Sequence, residues 1–284
     1  MLHLFFQYYS DLDDHAMNKP IYLLTVCLLC FFACKKDKDA LTGTGNYPQP
    51  IQLNSYPLSI GNSWKYYSES HFTDSIGNTA MYSYYDCIWE SLSDTLINGI
   101  TCTKISQLDS NYTGSTHLGH TYYTNKPDGF YGVAIENQGG LFYLRTTEQD
   151  KLFASSFFGS FDDKFLTTDT AFVPDTSLRF LKFPSTLNDI WLSYEYNYPT
   201  PDIFKRKWIG YSTINTLAGT FDCIKMHLFW DYDYNNQPDS GRAQIFQYFS
   251  IKGLVQEEWT DVLTFADGKS YTFNRVVKLV QVNF

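Results

Sequence analysis

The amino-acid sequence predicts an all-β protein, a single antiparallel domain whose sheet is curled and barrel-like (open or closed) or sandwich-like. Three observations predict it. Aromatic residues make up 18% of the chain, with 23 Tyr, 23 Phe and 6 Trp, and aromatic side chains favour pleated, half-buried surfaces over helices. Turn dipeptides recur at Gly61-Asn62, Gly77-Asn78, Asn98-Gly99, Asp128-Gly129, Gly139-Gly140, Ala218-Gly219, Asn235-Asn236 and Asp267-Gly268. Asn-Gly and Asp-Gly pairs tolerate the positive φ of tight hairpins. Finally, the best-defined segments alternate with period two, and no window of helical length keeps a 3.6-residue period. Asp150 to Ser160 has room for one short helix.

The N-terminus reads as a targeting segment. Met1 to Ala16 turns acidic toward its end and suits no signal peptide, so residues 1–16 are expected to be an upstream extension before a true start at Met17. Met17-Asn18-Lys19-Pro20 carries one positive charge, and Ile21 to Ala33 is almost wholly apolar, an n-region followed by an h-region. As a helix at about 1.5 Å per residue, that stretch reaches about 20 Å, short of a hydrocarbon core of about 30 Å. It is a signal rather than a stable span.

The h-region ends in Phe31-Phe32-Ala33-Cys34, followed by Lys35-Lys36-Asp37-Lys38-Asp39. This resembles the lipobox of bacterial lipoproteins, with a small residue just before the cysteine that becomes acylated. Phe31 stands where Leu is usual, and Cys30 is a competing site. The resemblance implies a signal peptide over residues 17–34 and lipidation at Cys34, several acyl chains holding firmly where one binds marginally. The Lys/Asp run resembles the export signal that sends some Bacteroidota lipoproteins to the outside of the outer membrane. An ordinary secretory signal with a chance cysteine, or an uncleaved anchor, is the alternative. Residues 35–50 are polar, contain Gly and Pro, and read as a flexible tether, about 22 Å in root-mean-square reach.

Residues 51–284 keep one character throughout and form the globular domain. The clearest hairpin lies between Trp208 and Tyr234. On its second strand Ile224, Met226, Leu228 and Trp230 share the core face, and Cys223, Lys225 and His227 share the other. In the last strand Val276, Val280, Val282 and Phe284 are expected on one face, interrupted by Lys278.

Three segments resemble an uncharacterised family of Bacteroidota surface lipoproteins. Tyr56-Pro57-Leu58-Ser59-Ile60-Gly61-Asn62-Ser63-Trp64 is similar to their PL-x-VGN-x-W segment, and Leu217-Ala218-Gly219-Thr220-Phe221-Asp222-Cys223 to their AGTF hairpin. Tyr248-Phe249-Ser250-Ile251-Lys252-Gly253-Leu254-Val255 is similar to their GLV segment, with Lys252 where Gly is usual. The resemblance implies an antiparallel sheet curled into an open or closed barrel, and it transfers no catalytic residue. Gly219, Gly61 and Gly253 read as turn and bend positions, and Trp64 and Phe221 as packed inside.

The formal net charge is -9, and losing Asp11, Asp13, Asp14 and Lys19 with the signal leaves an acidic mature chain. Such a surface repels phosphate backbones, so no nucleic-acid partner is expected. Beyond the anchor, the mature cysteines are Cys87, Cys102 and Cys223. Cys87 and Cys102 lie on neighbouring runs and either pair or remain free buried thiols, and none has zinc-site spacing. His117 and His120 fall in an extended stretch, where opposite parity sends them to opposite faces.

Asp231, Asp233, Asn235 and Asp239 resemble a calcium loop with oxygen ligands at alternate positions. The sixth position lacks Gly, and Arg242 stands where the bidentate Glu belongs, so a polar hairpin loop explains them as well. No Gly-x-Ser-x-Gly elbow, His-Glu-x-x-His motif or phosphate-cradling loop occurs. Glu257-Glu258 and Asp162-Asp163 are adjacent carboxylates that face opposite ways on a strand and cannot flank one bond, so they read as surface groups. No cofactor is expected.

The aromatics carry the positive hint. Tyr67, Tyr85, Trp89, Tyr123 and Tyr196 are the candidate ligand contacts, because consecutive Tyr-Tyr pairs in strands place one ring on each face. Exposed flat rings stack on sugars. The leading expectation is a non-enzymatic, lipid-anchored surface lipoprotein that binds glycan or another envelope protein. The alternative is a carrier holding a lipid-like ligand against inward residues such as Met226, Leu228 and Trp230. A hydrolase is third.

Overall fold

The structure, a computed structural model, describes residues 48–111, 116–137, 140–143, 178–196, 202–264 and 268–284. The chain divides into two compact units, residues 1–46 and Tyr47–Phe284, and all described residues belong to the second. Cys34, expected to be acylated, and the helix expected over residues 150–160 lie outside the described residues, as do Asp162 and Asp163.

The described residues form thirteen strands and no helix. In the first half these are β1 (Ser63–Thr73), β2 (Thr79–Ile97), β3 (Ile100–Asn111), β4 (Thr116–Lys126), β5 (Gly129–Asn137) and β6 (Gly140–Tyr143). There follow β7 (Leu178–Lys182), β8 (Ile190–Tyr196), β9 (Asp202–Thr216) and β10 (Gly219–Trp230). The last three are β11 (Gln244–Ser250), β12 (Gly253–Thr264) and β13 (Ser270–Asn283).

All thirteen belong to one antiparallel sheet in the order β6-β5-β4-β3-β2-β1-β13-β12-β11-β10-β9-β8, with β7 also paired to β5. Nearly every neighbour in space is therefore a neighbour in sequence, the long-range exceptions being β1 against β13 and β7 against β5. Turn chemistry explains the short connections. Between β2 and β3, Asn98 and Gly99 both take positive φ, at 46° and 84°, as a two-residue hairpin turn twisted to suit its strands requires.

The sheet curls until β9 approaches β12 and β13 across the interior and β7 comes to lie beside β8. No ladder joins β7 to β8. Instead side chains cross this seam to backbone carbonyls of β7. Trp191 Nε1 donates to Arg179 O at 3.4 Å, Arg206 Nη1 to Phe180 O at 2.8 Å, and Trp208 Nε1 to Lys182 O at 3.4 Å. A single sheet with one unsealed seam is a nearly closed barrel, and the sandwich alternative is set aside.

Alternation decides what lies inside. In β1, Trp64, Tyr66, Ser68 and Ser70 are buried at every second position. In β10, Ile224, Met226 and Leu228 line the core as expected, and Trp230 packs against it half-buried. The other face of β10 is drier than expected, because Cys223 is wholly buried beneath Tyr248 and Val255 on the outside of the sheet.

The expectation for the last strand fails. Val277 and Leu279, not Val276 and Val280, enter the core. Lys65 pairs with Gln281 but Tyr66 pairs with Leu279, so Val280 is an extra residue in the ladder. Such a bulge reverses the parity of every side chain beyond it. Val282 consequently still packs against the core, and Phe284 meets Trp64 edge-on at 5.6 Å.

One end of the barrel is closed by the segment before β1. Asn125 clamps Tyr56 twice, its Oδ1 accepting from Tyr56 N at 2.9 Å and its Nδ2 donating to Tyr56 O at 2.8 Å. The Tyr56 ring stacks on Phe130 at 4.4 Å. Two of the segments singled out in the sequence meet here. Trp64 Nε1 donates to Lys252 O at 2.7 Å, and Tyr66 Oη to Leu254 O at 3.2 Å. A Cβ on Gly253 would lie 2.9 Å from Tyr56 Oη and 3.1 Å from Trp64 Nε1. Only glycine admits both rings at that place, and Phe221, the other aromatic expected inside, packs half-buried.

Candidate functional site

The five candidate aromatics do not share a face. Trp89 is 1% exposed and Tyr123 is 4% exposed, both in the barrel core. Tyr85 packs against the same core, and burial raises its phenol above the ordinary pKa. The Tyr196 side chain lies outside the described residues. Of the four whose side chains are described, Tyr67 alone points outward, opposite its buried neighbour Tyr66.

Tyr67 does not stand alone, because β2 pairs with β1 and brings Tyr82 and Tyr84 to the same outer face. The rings of Tyr67 and Tyr84 lie 6.4 Å apart and nearly parallel, and those of Tyr82 and Tyr84 lie 6.2 Å apart. The hydroxyls of Tyr67 and Tyr82 are 3.5 Å apart, and Tyr82 Oη donates to Glu69 Oε2 at 3.3 Å. Hydrogen bonding to Tyr67, aided by the nearby Glu69 carboxylate, pushes the Tyr82 phenol up to about 12. Tyr82 is 51% exposed and Tyr84 46%. The Lys65–Asp86 ion pair, at 3.3 Å, flanks the strip. Three rings, the Tyr82 and Tyr84 planes tilted by 46°, and a carboxylate thus form a contiguous aromatic strip with hydrogen-bonding groups along it.

A second constellation lies inside the barrel, and the sequence reading missed it. Glu257, expected at the surface, is fully buried. Its Oε1 accepts from Arg275 Nη2 at 2.6 Å and its Oε2 from Gln247 Nε2 at 2.5 Å. Burial pulls the Arg275 guanidinium down, but the charge of Glu257 outweighs it and holds the group above its ordinary value. Arg275 also lies over the Trp259 ring, 5.2 Å from its centroid. Glu258 faces outward as expected and accepts from Tyr248 Oη at 3.0 Å.

Arg206 is buried in the same interior. Its Nε donates to Ser193 Oγ at 2.9 Å and its Nη1 to Phe180 O, while Nη2 has no hydrogen-bond partner among the described residues. Gln247 Oε1 is likewise buried and unpartnered. The sequence did hold a signal for both charges. Glu257 shares strand parity with Trp259, and Arg206 sits between Phe204 and Trp208 at positions of one parity.

The oxygens of the calcium-like loop already have donors. Asp231 accepts from Lys205 Nζ and from the backbone N–H groups of Asn235 and Asn236. Burial pushes the Asp231 carboxyl up, yet these donors outweigh it and leave it below its ordinary value. Asp233 accepts from Asn235, and Asp239 Oδ2 accepts from Tyr232 N at 2.7 Å. Lys205 Nζ thus holds Asp231 and also donates to Asn236 Oδ1 at 2.8 Å, and the loop is a hydrogen-bonded turn.

Cys87, Cys102 and Cys223 are free and buried. Cys87 lies opposite Asp109 and Cys102 opposite Thr95, so the strand register keeps the two apart and excludes a bridge between them. His117 and His120 lie in β4, and the His120 Nδ1 is 3.5 Å from Glu136 Oε2. Among the described residues no group of acidic, Cys and His side chains is arranged to hold a metal ion.

No known family profile and no curated protein matches the chain. Solved structures do share part of its course. An exported protein with a YmcC-like fold from Bacteroides fragilis is similar over 81% of this chain and 99% of its own, at 10% identity and a TM-score of 0.37. A lipoprotein from Parabacteroides distasonis is similar over 83% of this chain and 100% of its own, at 13% identity and a TM-score of 0.35. An outer membrane lipoprotein-sorting protein domain from Vibrio parahaemolyticus is similar over 79% and 85% respectively, at 9% identity and a TM-score of 0.24. At these values the barrel rests on its own strand order and register.

Proposed function

We propose that the chain is a non-enzymatic, lipid-anchored lipoprotein of the outer membrane, held at the cell surface by acyl chains on Cys34, that binds glycan through the tyrosine strip of β1 and β2. One observation carries the binding reading: the outward rings of Tyr67, Tyr82 and Tyr84 form a contiguous platform beside Glu69. The C–H face of a sugar ring packs on the flat face of an aromatic side chain, whose quadrupole is negative there. The Glu69 carboxylate and the phenols then serve the sugar hydroxyls. The signal over residues 17–34 supports the anchor and the compartment, and the acidic mature surface supports a partner other than nucleic acid.

A screen of envelope and host glycans against the full chain tests the binding. Retained glycans that are lost on the combined Tyr67→Ala, Tyr82→Ala and Tyr84→Ala substitution support it. Retention that persists without the three rings would move the site elsewhere, and no retention would leave another envelope protein as the partner.

A second reading, a carrier, is favoured by the interior. Arg206 Nη2 and Gln247 Oε1 are buried hydrogen-bonding atoms without partners among the described residues, inside a wall that includes Met226 and Leu228, and buried polar groups ordinarily find partners. Native mass spectrometry of the chain from its own envelope tests this reading. An added mass lost on denaturation supports a cargo, and a clean mass contradicts it.

A further inference from the structure

We propose that Arg206 docks the carboxylate of an apolar organic acid held inside the barrel; this deepens the carrier reading and does not depend on the outer tyrosine strip.

A guanidinium carries five N–H donors in a fixed planar fork. For Arg206 two bonds are made among the described residues, to Ser193 Oγ and Phe180 O, and Nη2 is left buried with no acceptor among them. No carboxylate of the described residues pairs with it. Glu257 is the acid whose field reaches Arg206, but both Glu257 oxygens are already taken by Arg275 and Gln247. Charges buried in proteins are ordinarily paired, because removal from water is repaid only by a counter-charge or a full set of hydrogen bonds. The cost shows in the group itself, since burial pulls the guanidinium down to about 9. It still carries its charge at neutral pH.

A seam-closing role does not explain the whole side chain. The bond across to β7 uses Nη1, and the bond that orients the fork uses Nε. Nη2 serves neither. A carboxylate is the acceptor that matches a planar fork, taking parallel N–H bonds and supplying the missing charge.

The surroundings set the rest of the ligand. The guanidinium lies over the Phe180 ring, 4.9 Å from its centroid. Its cross-strand neighbours are Leu228 on β10 and Trp191 on β8. One step along the barrel, Met226 and Trp208 are paired, and the Trp191 and Trp208 rings lie 5.4 Å apart. A cation among aromatic and aliphatic walls suits a ligand with one anionic end and a hydrocarbon body. A sugar or a nucleotide would bring hydroxyls for which these walls hold no partners.

Octanoate labelled with ¹³C at the carboxyl, against octanamide of the same shape without charge, tests the assignment on the full chain. The carboxylate resonance reports binding directly. Octanoate is expected to bind about tenfold or more tighter than octanamide, as charge-assisted bonding to a buried fork implies. Arg206→Met, which keeps the apolar stem, is expected to bind the two compounds equally. The comparison of octanoate with octanamide on the unaltered chain needs no variant, so a variant that fails to fold does not shield the proposal. Equal binding of the two compounds by the unaltered chain overturns the role of Arg206 and leaves the carrier reading in place. Binding of neither overturns both.

Discussion

Inside the barrel, Arg275 Nη2 donates to Glu257 Oε1 at 2.6 Å, and Glu257 has no exposed surface. The pair joins adjacent strands β12 and β13, and Gln247 on β11 ties the second oxygen to a third strand. A pair so buried contributes little net stability, because desolvation offsets most of the attraction. Breaking one half is different, since it strands the other charge.

We therefore expect Glu257→Leu to destabilise the barrel by about 3–5 kcal/mol. The double variant Glu257→Leu with Arg275→Met should recover most of that loss. Urea denaturation followed by tryptophan fluorescence measures both, and equal losses in the single and double variants would contradict the account.

His227 gives a pH dependence. It is 8% exposed, stacked on Phe246 at 4.6 Å, with its Nε2 2.9 Å from Gln244 Oε1. Burial first, then the nearby Lys225 and Lys207 charges, bring its pKa down to about 4, although the bond to Gln244 opposes this. The folded state thus favours the neutral ring, and the unfolded chain binds a proton more readily. Stability from this group is present above about 6.5 and is lost as pH falls toward about 4. His227→Gln should flatten that fall by about 1–3 kcal/mol, read from urea midpoints across the window.

Gly253 tests the packed end of the barrel. Its φ is +97°, and a Cβ would press on Tyr56 Oη and Trp64 Nε1. Gly61 has a similar φ of +88° with nothing within 4 Å. Gly61→Ala should cost about 1 kcal/mol of backbone strain, and Gly253→Ala about 3 kcal/mol or more once the overlap is added. Thermal denaturation separates the two, and equal shifts in Tm would show that the close approach of the rings does not matter.

The three thiols should be inert in the folded chain. Burial pushes Cys102 up to about 11, Cys223 up to about 12, and Cys87 well above its ordinary value. A thiol-specific disulfide reagent at neutral pH should modify none of them until urea unfolds the barrel, after which all three react. Fast modification of any of the three in the native chain would contradict their placement.

The fold was legible where local chemistry dominates. Asn98-Gly99 and Ala218-Gly219 mark hairpins that the structure contains, and Ile224, Met226 and Leu228 line the core. The sequence failed where one residue breaks parity. Val280 looks like core from its neighbours, but the bulge at that position hands the core to Val277 and Leu279. The site was less legible, for a related reason. Polarity made Glu257 look like surface, although its strand parity with Trp259 pointed inward, and only the closing of the barrel supplies Arg275 and Gln247 as partners. Trp89 and Tyr123 looked like ligand contacts because aromatic content says nothing of which face a ring takes. Tyr82 and Tyr84 become part of one platform with Tyr67 only through the register of β1 against β2.

The most direct test of the proposed function is calorimetric titration of a retained glycan into the full chain and into its Tyr67→Ala, Tyr84→Ala variant. The account predicts a loss of affinity of about fivefold or more, since each stacked ring contributes about 0.5–1.5 kcal/mol, with Tm unchanged within about 2 °C for these outward positions. Undiminished affinity with both rings gone would contradict it.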